Sequence, residues 1–157
     1  MMMAATLNKS SVTCLQPIEI HDVTSTDLSQ LVMLEKSCFA TDRLSKRSFS
    51  HWIKSSHRVF LVAKRQAKVV AYGLVIMRKG TRLARLYSIA VDQDVAGKGI
   101  GRQLLLALEN KTVAAGKLFL RLEVEKTNQR AINLYQSMGY KIFGDYEHYY
   151  ENNGDAF

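Results

Sequence analysis

The sequence has little of what membrane, disordered or secreted chains require. It contains one proline in 157 residues and a hydrophobic fraction of 47%, which is the composition of an ordinary globular protein. No apolar run approaches the roughly 20 residues that a membrane-spanning helix needs. Residues 1–16 lack the basic start and the apolar stretch of a secretory signal. We expect these residues to form a flexible polar tail in front of a single domain that covers 17–157.

Cysteine and histidine are also scarce. The two cysteines, Cys14 and Cys38, have neither the spacing of metal ligands nor the density of a disulfide-stabilised scaffold. No pair among the four histidines has the spacing of zinc ligands on a helix. The sequence therefore predicts no metal site, a buried inert thiol at Cys38, and a cytoplasmic location.

Positive charge, in contrast, is abundant. The formal net charge is +8 at pH 7 and the isoelectric point is about 9.6, which favours anionic partners. The basic residues occur in small scattered groups without the aromatic-interleaved motif of an RNA-binding module. We therefore do not expect direct nucleic-acid binding, and we interpret the charge as a surface that suits a polyanionic cofactor.

The stretch from Leu83 to Leu108 combines an apolar run, a glycine-rich turn and a helical pattern. Three glycines alternate with larger residues directly before the helix: Gly97, Gly99 and Gly101. Glycine lets an anion approach the backbone N–H groups, and the dipole of the helix favours negative charge at this end. Lys98 and Arg102 add positive charge to the same turn. The stretch therefore predicts a site for phosphate or pyrophosphate.

Two familiar phosphate loops do not fit this turn. A P-loop requires Ser or Thr after Gly-Lys, but Gly97-Lys98 is followed by Gly99. The dinucleotide-binding fingerprint requires a third glycine where this chain has Arg102, and it normally opens the fold.

Three segments resemble the GNAT N-acetyltransferases. The turn from Ala96 to Gly101 is similar to their acetyl-CoA loop, Arg/Gln-x-x-Gly-x-Gly/Ala. The segment 120–140, LRLEVEKTNQRAINLYQSMGY, resembles the bacterial ribosomal-protein alanine acetyltransferases. The segment 38–49, CFATDRLSKRSF, resembles helices on the substrate side of that group. The turn and the second segment cover roughly the last half of the chain; together the matches are specific for the fold and for acetyl-CoA, and much less so for the acceptor.

The resemblance implies which residues bind acetyl-CoA. The backbone of a central strand would pair with the pantetheine arm, the glycine turn would take the pyrophosphate, and an asparagine would contact the arm. These residues are Ile89, Ala90, Val91, Gly97, Lys98, Gly99, Ile100, Gly101, Arg102 and Asn128. Ala96 stands where the family usually has Arg or Gln, so one side-chain donor is lost. Because the backbone donors remain, we expect weakened rather than abolished cofactor binding.

The resemblance also implies the catalytic pair, with Glu123 as general base and Tyr135 as general acid. From the residues alone, Glu123 alternates with apolar neighbours and points to the opposite face, which Glu125 shares. A solvent-facing glutamate and a core tyrosine remain open at that level. For the acceptor side the resemblance implies Arg43, Tyr87 and Tyr149, with Tyr150 as the alternative to Tyr149 and exposed loop aromatics as the other interpretation of both tyrosines. Relatives continue with a final strand where this chain ends, so we expect either a truncated piece or a short last edge.

The order of predicted elements is β-α-α-β-β-β-α-β-α-β. The connection through a helix allows the strands near 83–91 and 118–125 to lie parallel, while the strands before them form an antiparallel meander. Gly73, inside one of these strands, marks either a bulge or a close backbone approach. We expect an α/β fold with a mixed, mostly antiparallel sheet and helices on both faces. This order of elements is also that of the GNAT fold, and the resemblance to that family implies a splayed cofactor cleft.

The expected function is therefore acetyl transfer from acetyl-CoA to a primary amine by direct attack. A protein or peptide N-terminal α-amine is the preferred acceptor on resemblance alone. A small-molecule amine acetyltransferase and a non-catalytic acyl-CoA-binding regulatory module remain alternatives, as does fusion to or association with another domain.

Overall fold

The computed structural model describes residues 2–4 and 17–144. Its strands are β1 Met2–Ala4, β2 Glu19–Asp22, β3 Arg58–Arg65, β4 Lys68–Met77, β5 Leu83–Val91, β6 Phe119–Glu123 and β7 Lys141–Ile142. Its helices are α1 Leu28–Cys38, α2 Lys46–Lys54, α3 Ile100–Ala114 and α4 Gln129–Ser137, with short 3-10 turns at Ser25–Asp27 and Gln93–Val95. From β2 onward the order of elements agrees with the sequence prediction.

The described strands form one sheet in the order β2-β3-β4-β5-β6-β1-β7. The pairs β2–β3, β3–β4, β4–β5, β6–β1 and β1–β7 are antiparallel. The pair β5–β6 is parallel, because α3 carries the chain back across the sheet between these two strands. The predicted mixed, mostly antiparallel sheet and its parallel central pair are confirmed.

Helices cover both faces of this sheet, also as predicted. On one face, α3 and α4 contribute Leu104, Leu108 and Ile132 to a cluster with residues of β3 to β6. On the other face, Leu31 of α1 and Phe49 of α2 pack in a second cluster against β3 and β4. Burial of these two apolar surfaces supplies the main driving force for folding.

The first strand, β1, was not expected. The sequence predicts a flexible tail over 1–16, which is wrong for Met2–Ala4. Met3 is fully buried in the core cluster, and the short strand pairs with β6 on one side and β7 on the other. A strand of three residues is too short to show the alternation of apolar and polar residues by which strands are recognised in a sequence. Residues 5–16 lie outside the described part of the chain, and a domain boundary at residue 17 stays a prediction.

Gly73 marks a close approach, which was one of the two alternatives. A Cβ atom added there would lie 2.3 Å from Cδ1 of Leu108 on α3. The irregularities in the pairing of β4 lie elsewhere, at Leu74/Val75 toward β5 and opposite Ala63/Lys64 on β3. The missing side chain therefore lets the third turn of α3, which carries Leu108, lie close against the sheet.

The helix α3 carries a buried carboxyl group on its inner face. Glu109 is 3% exposed, and its Oε1 accepts a hydrogen bond of 2.7 Å from the hydroxyl of Tyr140. Burial raises the pKa of Glu109 above its ordinary value of 4.5, and the bond from Tyr140 offsets only part of this rise. The folded protein therefore binds this proton more tightly than the unfolded chain does.

This pKa shift predicts a pH dependence of stability. As the pH rises above 4.5 toward the folded pKa of Glu109, the contribution of this group to the free energy of unfolding falls, because the unfolded state loses its proton first. We expect Glu109→Gln to remove that part of the pH dependence. Urea denaturation of both proteins between pH 4.5 and pH 7.5 measures it.

Tyr140→Phe is the matched control for this prediction. It removes the hydroxyl that partly offsets the burial of Glu109, so we expect the stability to fall more steeply with pH than in the wild type. Identical slopes for the wild type and Glu109→Gln would contradict the assignment.

Candidate active site

The two central strands separate at the point where the sequence places the site. The parallel pairing of β5 with β6 runs from Leu83–Phe119 to Leu86–Leu122. Beyond Leu86, β5 continues to Val91 and pairs only with β4, while β6 ends at Glu123. A cleft therefore opens between the second half of β5 and the end of β6, and this is the splayed cleft that the sequence predicted.

The exposed edge of β5 presents its backbone to this cleft. The N–H of Asp92 donates to the carbonyl of Val70 at 2.8 Å, which fixes the residues of β5 that bond to β4. Because bonding direction alternates along an antiparallel strand, the backbone groups of Ile89 and Val91 point away from β4 and into the cleft. There they can pair with an extended amide-containing arm as an added strand would.

The glycine turn closes one end of the cleft. Gly97 and Gly99 have φ angles of 82° and 81°, in the left-handed region that favours glycine. Gly99 is the N-cap of α3, so the first N–H groups of this 15-residue helix, from Ile100 to Arg102, have no partner within the helix. This arrangement is suited to binding an anion.

A cavity of about 470 Å³, here called the donor chamber, lies between these two features. Its walls include most of the predicted cofactor residues: Ile89, Ala90, Val91, Gly97, Gly99, Ile100, Gly101, Arg102 and Asn128. Lys98 is exposed and lies outside this wall. The chamber thus offers backbone amides for a pantetheine arm and, at the helix N-terminus, N–H groups and positive charge for a diphosphate, so its residues fit coenzyme A.

Sequence reasoning missed Arg130 in this chamber. Arg130 lies on α4, and its Nη2 is 3.2 Å from the position that a Cβ atom of Gly97 would occupy. The guanidinium therefore lies directly over the glycine turn, close to Ala96, where the family usually has Arg or Gln. Its exposed position in the helix gave no sequence signal, because the contact depends on how α4 packs beside the turn.

A second cavity of about 490 Å³, here called the central chamber, joins the first. The two chambers share Ile89, Asn128 and Tyr135 in their walls. Glu123 and Glu125 line only the central chamber. The structure thus brings both predicted catalytic residues, Glu123 and Tyr135, to one continuous cleft.

Glu123 is held in place by an arginine. Its side chain is 10% exposed, and its Oε2 lies 3.1 Å from Nε of Arg85 on β5. The guanidinium of Arg85 also lies 5.5 Å from the centre of the Tyr87 ring. The sequence analysis did not single out Arg85, although the parallel pairing of β5 with β6 brings these positions onto one face.

Tyr135 is 5% exposed and reaches the cleft from α4. The N-cap of that helix is Asn128, whose Oδ1 accepts a hydrogen bond of 3.2 Å from the N–H of Ala131. The ring of Tyr135 packs against that of Tyr140, with 5.6 Å between ring centres. Both contacts fix the direction of the phenol, and Asn128 acts as a helix cap while it also lines the cleft.

Of the three residues predicted for the acceptor side, only Tyr87 lines the central chamber in the described part of the chain. Tyr87 is 41% exposed and borders the central chamber. The guanidinium of Arg43 donates instead to the backbone carbonyls of Phe39 and Lys36, so it shapes the loop 39–42 that walls the chamber. Tyr149 and its alternative Tyr150 lie outside the described residues.

A buried polar network supports this wall and was not predicted. Glu35, 2% exposed, accepts hydrogen bonds from the N–H of Leu44 at 2.7 Å and from the hydroxyl of Tyr72 at 2.8 Å. The hydroxyls of Tyr72 and Ser88 lie 2.7 Å apart, and Ser88 borders the central chamber. Burial raises the pKa of Glu35. The network ties α1, the loop after it, β4 and β5 into one rigid frame.

Within residues 2–4 and 17–144, no group of three or more His, Cys, Asp or Glu side chains is arranged to hold a metal ion. Within the same residues, no helix has the length and hydropathy required to cross a membrane.

A splayed sheet, a glycine turn at a helix N-terminus and a shared chamber with a carboxylate and a phenol define the class of acetyltransferases that use coenzyme A thioesters. The family model described as "Acetyltransferase (GNAT) family" matches residues 26–140. The chain belongs to the GNAT acetyltransferase family. It is an N-acetyltransferase whose donor is acetyl-CoA.

Similar proteins support this membership, and the share of each relative that the chain covers differs. The chain is 30% identical over 151 residues to N-alpha-acetyltransferase RimI of Mycobacterium tuberculosis, covering 90% of each protein. It is also 30% identical over 151 residues to an uncharacterised protein of Mycobacterium leprae, of which it spans only 40%. The crystal structure of the ribosomal-protein-S18-alanine N-acetyltransferase from Escherichia coli superposes with a TM-score of 0.81 at 27% identity, covering 89% of this chain and 90% of the other.

Proposed function

We propose that this N-acetyltransferase acetylates the N-terminal α-amine of a protein or peptide, with Glu123 as general base and Tyr135 as general acid. The observation that carries the proposal is the joint position of these two side chains in the wall of the central chamber, where it meets the donor chamber. The bound donor supplies the acetyl group as a thioester. The residues of the chain orient the donor and the acceptor and transfer the protons.

Glu123 acts on the acceptor. An amine at neutral pH is protonated and cannot attack a carbonyl until it loses that proton. Glu123 takes the proton from the ammonium group, through a water molecule, and the lone pair then attacks the thioester carbon. Arg85 is a positioning residue here, because its contact with Oε2 keeps the carboxylate aimed at the chamber.

Tyr135 acts on the leaving group. When the C–S bond breaks, the electron pair stays on sulfur, and the phenol of Tyr135 donates a proton to give the free thiol. The side chain reaches both chambers, which places it at the junction through which the donor's thioester would have to pass. The attacking nitrogen then loses its second proton, which restores the phenol of Tyr135, and Glu123 releases its proton to water. The products are an acetylated amine and coenzyme A.

The identity of the acceptor rests on two supports. Two relatives are named as an N-alpha-acetyltransferase and as an N-acetyltransferase of an alanine of ribosomal protein S18. In this chain the central chamber opens past the half-exposed Tyr87, which leaves room for a polymer to continue beyond its first residue. We also propose the cytoplasm, where ribosomes and acetyl-CoA meet, as its location.

The release of coenzyme A tests the proposal. The full chain is mixed with acetyl-CoA and a panel of N-terminally free peptides, matched N-terminally blocked peptides, and small amines. We expect turnover with the free peptides and none with the blocked ones. Turnover with small amines only would favour a small-molecule acetyltransferase, and binding of acetyl-CoA without turnover would favour a non-catalytic module.

The position of Arg130 gives a prediction for the donor site. Its guanidinium lies over the glycine turn, and a hydrogen bond to a charged group contributes roughly 1.5–3 kcal/mol. We expect Arg130→Ala to raise the Kd of acetyl-CoA about ten-fold or more, as measured by isothermal titration calorimetry. Lys98→Ala, on the same turn but outside the chamber wall, should have a smaller effect.

Ala96→Arg provides the complementary variant. We expect it to tighten binding of acetyl-CoA, and to do so more strongly in the Arg130→Ala background than in the wild type, because both side chains would serve the same diphosphate. Equal affinities in all four proteins would show that the backbone of the turn suffices and that Arg130 has no role there.

A further inference from the structure

A third cavity lies beside the central chamber and is not part of the donor site. It has a volume of about 690 Å³, and here we call it the basic pocket. It opens between α2, the first half of β5 and the middle of β6. Its wall includes Trp52, Arg78, Arg85, Tyr87 and Arg121, and none of the described residues that line it is acidic.

The charge in this pocket is unbalanced. Arg85 and Arg121 are register partners on the parallel strands β5 and β6, so their side chains leave the same face of the sheet side by side. Like charges in such positions repel each other. Arg85 is neutralised by Glu123, whereas Arg78 and Arg121 form no ion pair with any residue of the described ranges.

One nitrogen of Arg121 also lacks a hydrogen-bond partner. Its Nε is buried, and no atom in the described part of the chain accepts a bond from it. A buried donor without an acceptor is unfavourable, so an acceptor from beyond the described residues would stabilise this side chain. At the rim, Lys117 donates its Nζ hydrogens to the carbonyls of Arg78 and Thr81 and adds a further positive charge.

The pocket is connected to the proposed catalytic position by two residues. Tyr87 lines both the basic pocket and the central chamber. Arg85 contacts Glu123 at 3.1 Å and also lines the basic pocket. Since an extended chain advances about 3.3–3.6 Å per residue, a peptide whose amine lies at Glu123 would pass Tyr87 and enter the pocket with its next two residues.

We infer that the basic pocket selects acceptors with an acidic side chain at the second or third residue. The inference rests on the proposed function, because it requires the acceptor amine to lie beside Glu123. A carboxylate in the pocket would pair with Arg121 and Arg78 beside the aromatic side chains of Trp52 and Tyr87, which pack against each other with ring centres 6.1 Å apart. The low polarity of these walls strengthens such a pair relative to one in water.

Matched peptides test this inference. Three peptides begin with alanine and carry Glu, Gln or Lys at both the second and third positions, with all later residues the same. We expect kcat/KM with acetyl-CoA to fall in the order Glu, Gln, Lys, with about ten-fold or more between the first and the last. Equal values, or a preference for Lys, would overturn the inference while turnover itself would leave the proposed function standing.

Variants locate the preference in the pocket. We expect Arg121→Glu to reverse the order of the Glu and Lys peptides, and the paired substitution Arg78→Gln with Arg121→Gln to abolish the preference without reversing it. Arg47→Glu makes the same charge change on an exposed arginine of α2 outside the pocket, and it should keep the order of the wild type. An unchanged order in the paired Gln variant would overturn the inference, and no turnover with any peptide in the wild type would overturn the proposed function as well.

Discussion

Tyr135→Phe is expected to lower kcat about 100-fold or more and to leave the Kd of acetyl-CoA within about two-fold of the wild type. A positioned general acid contributes typically 10²–10⁴-fold to a rate. The substitution removes only the hydroxyl, while the ring keeps its packing against Tyr140 and its place in the wall of both chambers. Steady-state kinetics with an accepted peptide and calorimetry with acetyl-CoA measure the two effects.

Tyr140→Phe is the control for the loss of a phenol. Tyr140 neighbours Tyr135, but its hydroxyl donates to the buried Glu109 and it does not line the cleft. This variant should change stability without a comparable change in kcat. A Tyr135→Phe enzyme with unchanged turnover would remove Tyr135 from the acid role.

Glu123→Gln should have an effect of similar size on the acceptor half of the reaction. The amide keeps the shape of the side chain but cannot accept a proton from the ammonium, so we expect kcat/KM for the peptide to fall about 100-fold or more at neutral pH. The loss should shrink as the pH rises, because a growing fraction of the acceptor amine is then already deprotonated. Kinetics from pH 6.5 to 9.5 test both statements.

Glu125→Gln is the matched control for the base. Glu125 lies two positions further along and lines the same chamber, and the pattern of the sequence did not separate the two carboxylates. The contact of Arg85 with Glu123 supports the choice of Glu123. If Glu125→Gln carries the larger, pH-dependent loss and Glu123→Gln does not, the roles are exchanged.

Local patterns were sufficient for most of the fold. The apolar runs of β3, β4 and β5 and the turn after β5 carry strong, redundant signals, and the helix between β5 and β6 makes their parallel pairing the expected one. The glycine turn could be located because positive φ angles at Gly97 and Gly99 demand a residue type that is visible in the sequence.

Contacts between distant segments could not be predicted in this way. The strand formed by Met2–Ala4 depends on pairing with β6 and β7, which no local pattern encodes. Arg130 reaches the glycine turn, and Arg85 reaches Glu123, only after the elements have packed. The same holds for the side-by-side Arg85 and Arg121. Each of these arginines occupies an unremarkable position in the sequence and acquires its role from a neighbour far away in the chain.

A crystal structure of this chain with acetyl-CoA bound tests the proposed site most directly. We expect the diphosphate to lie on the N–H groups of the turn from Gly97 to Arg102 and the pantetheine arm to pair with Ile89 and Val91. We expect the thioester sulfur to lie within hydrogen-bond reach of the Tyr135 hydroxyl. A donor bound away from the glycine turn, or a thioester distant from both Tyr135 and Glu123, would contradict it.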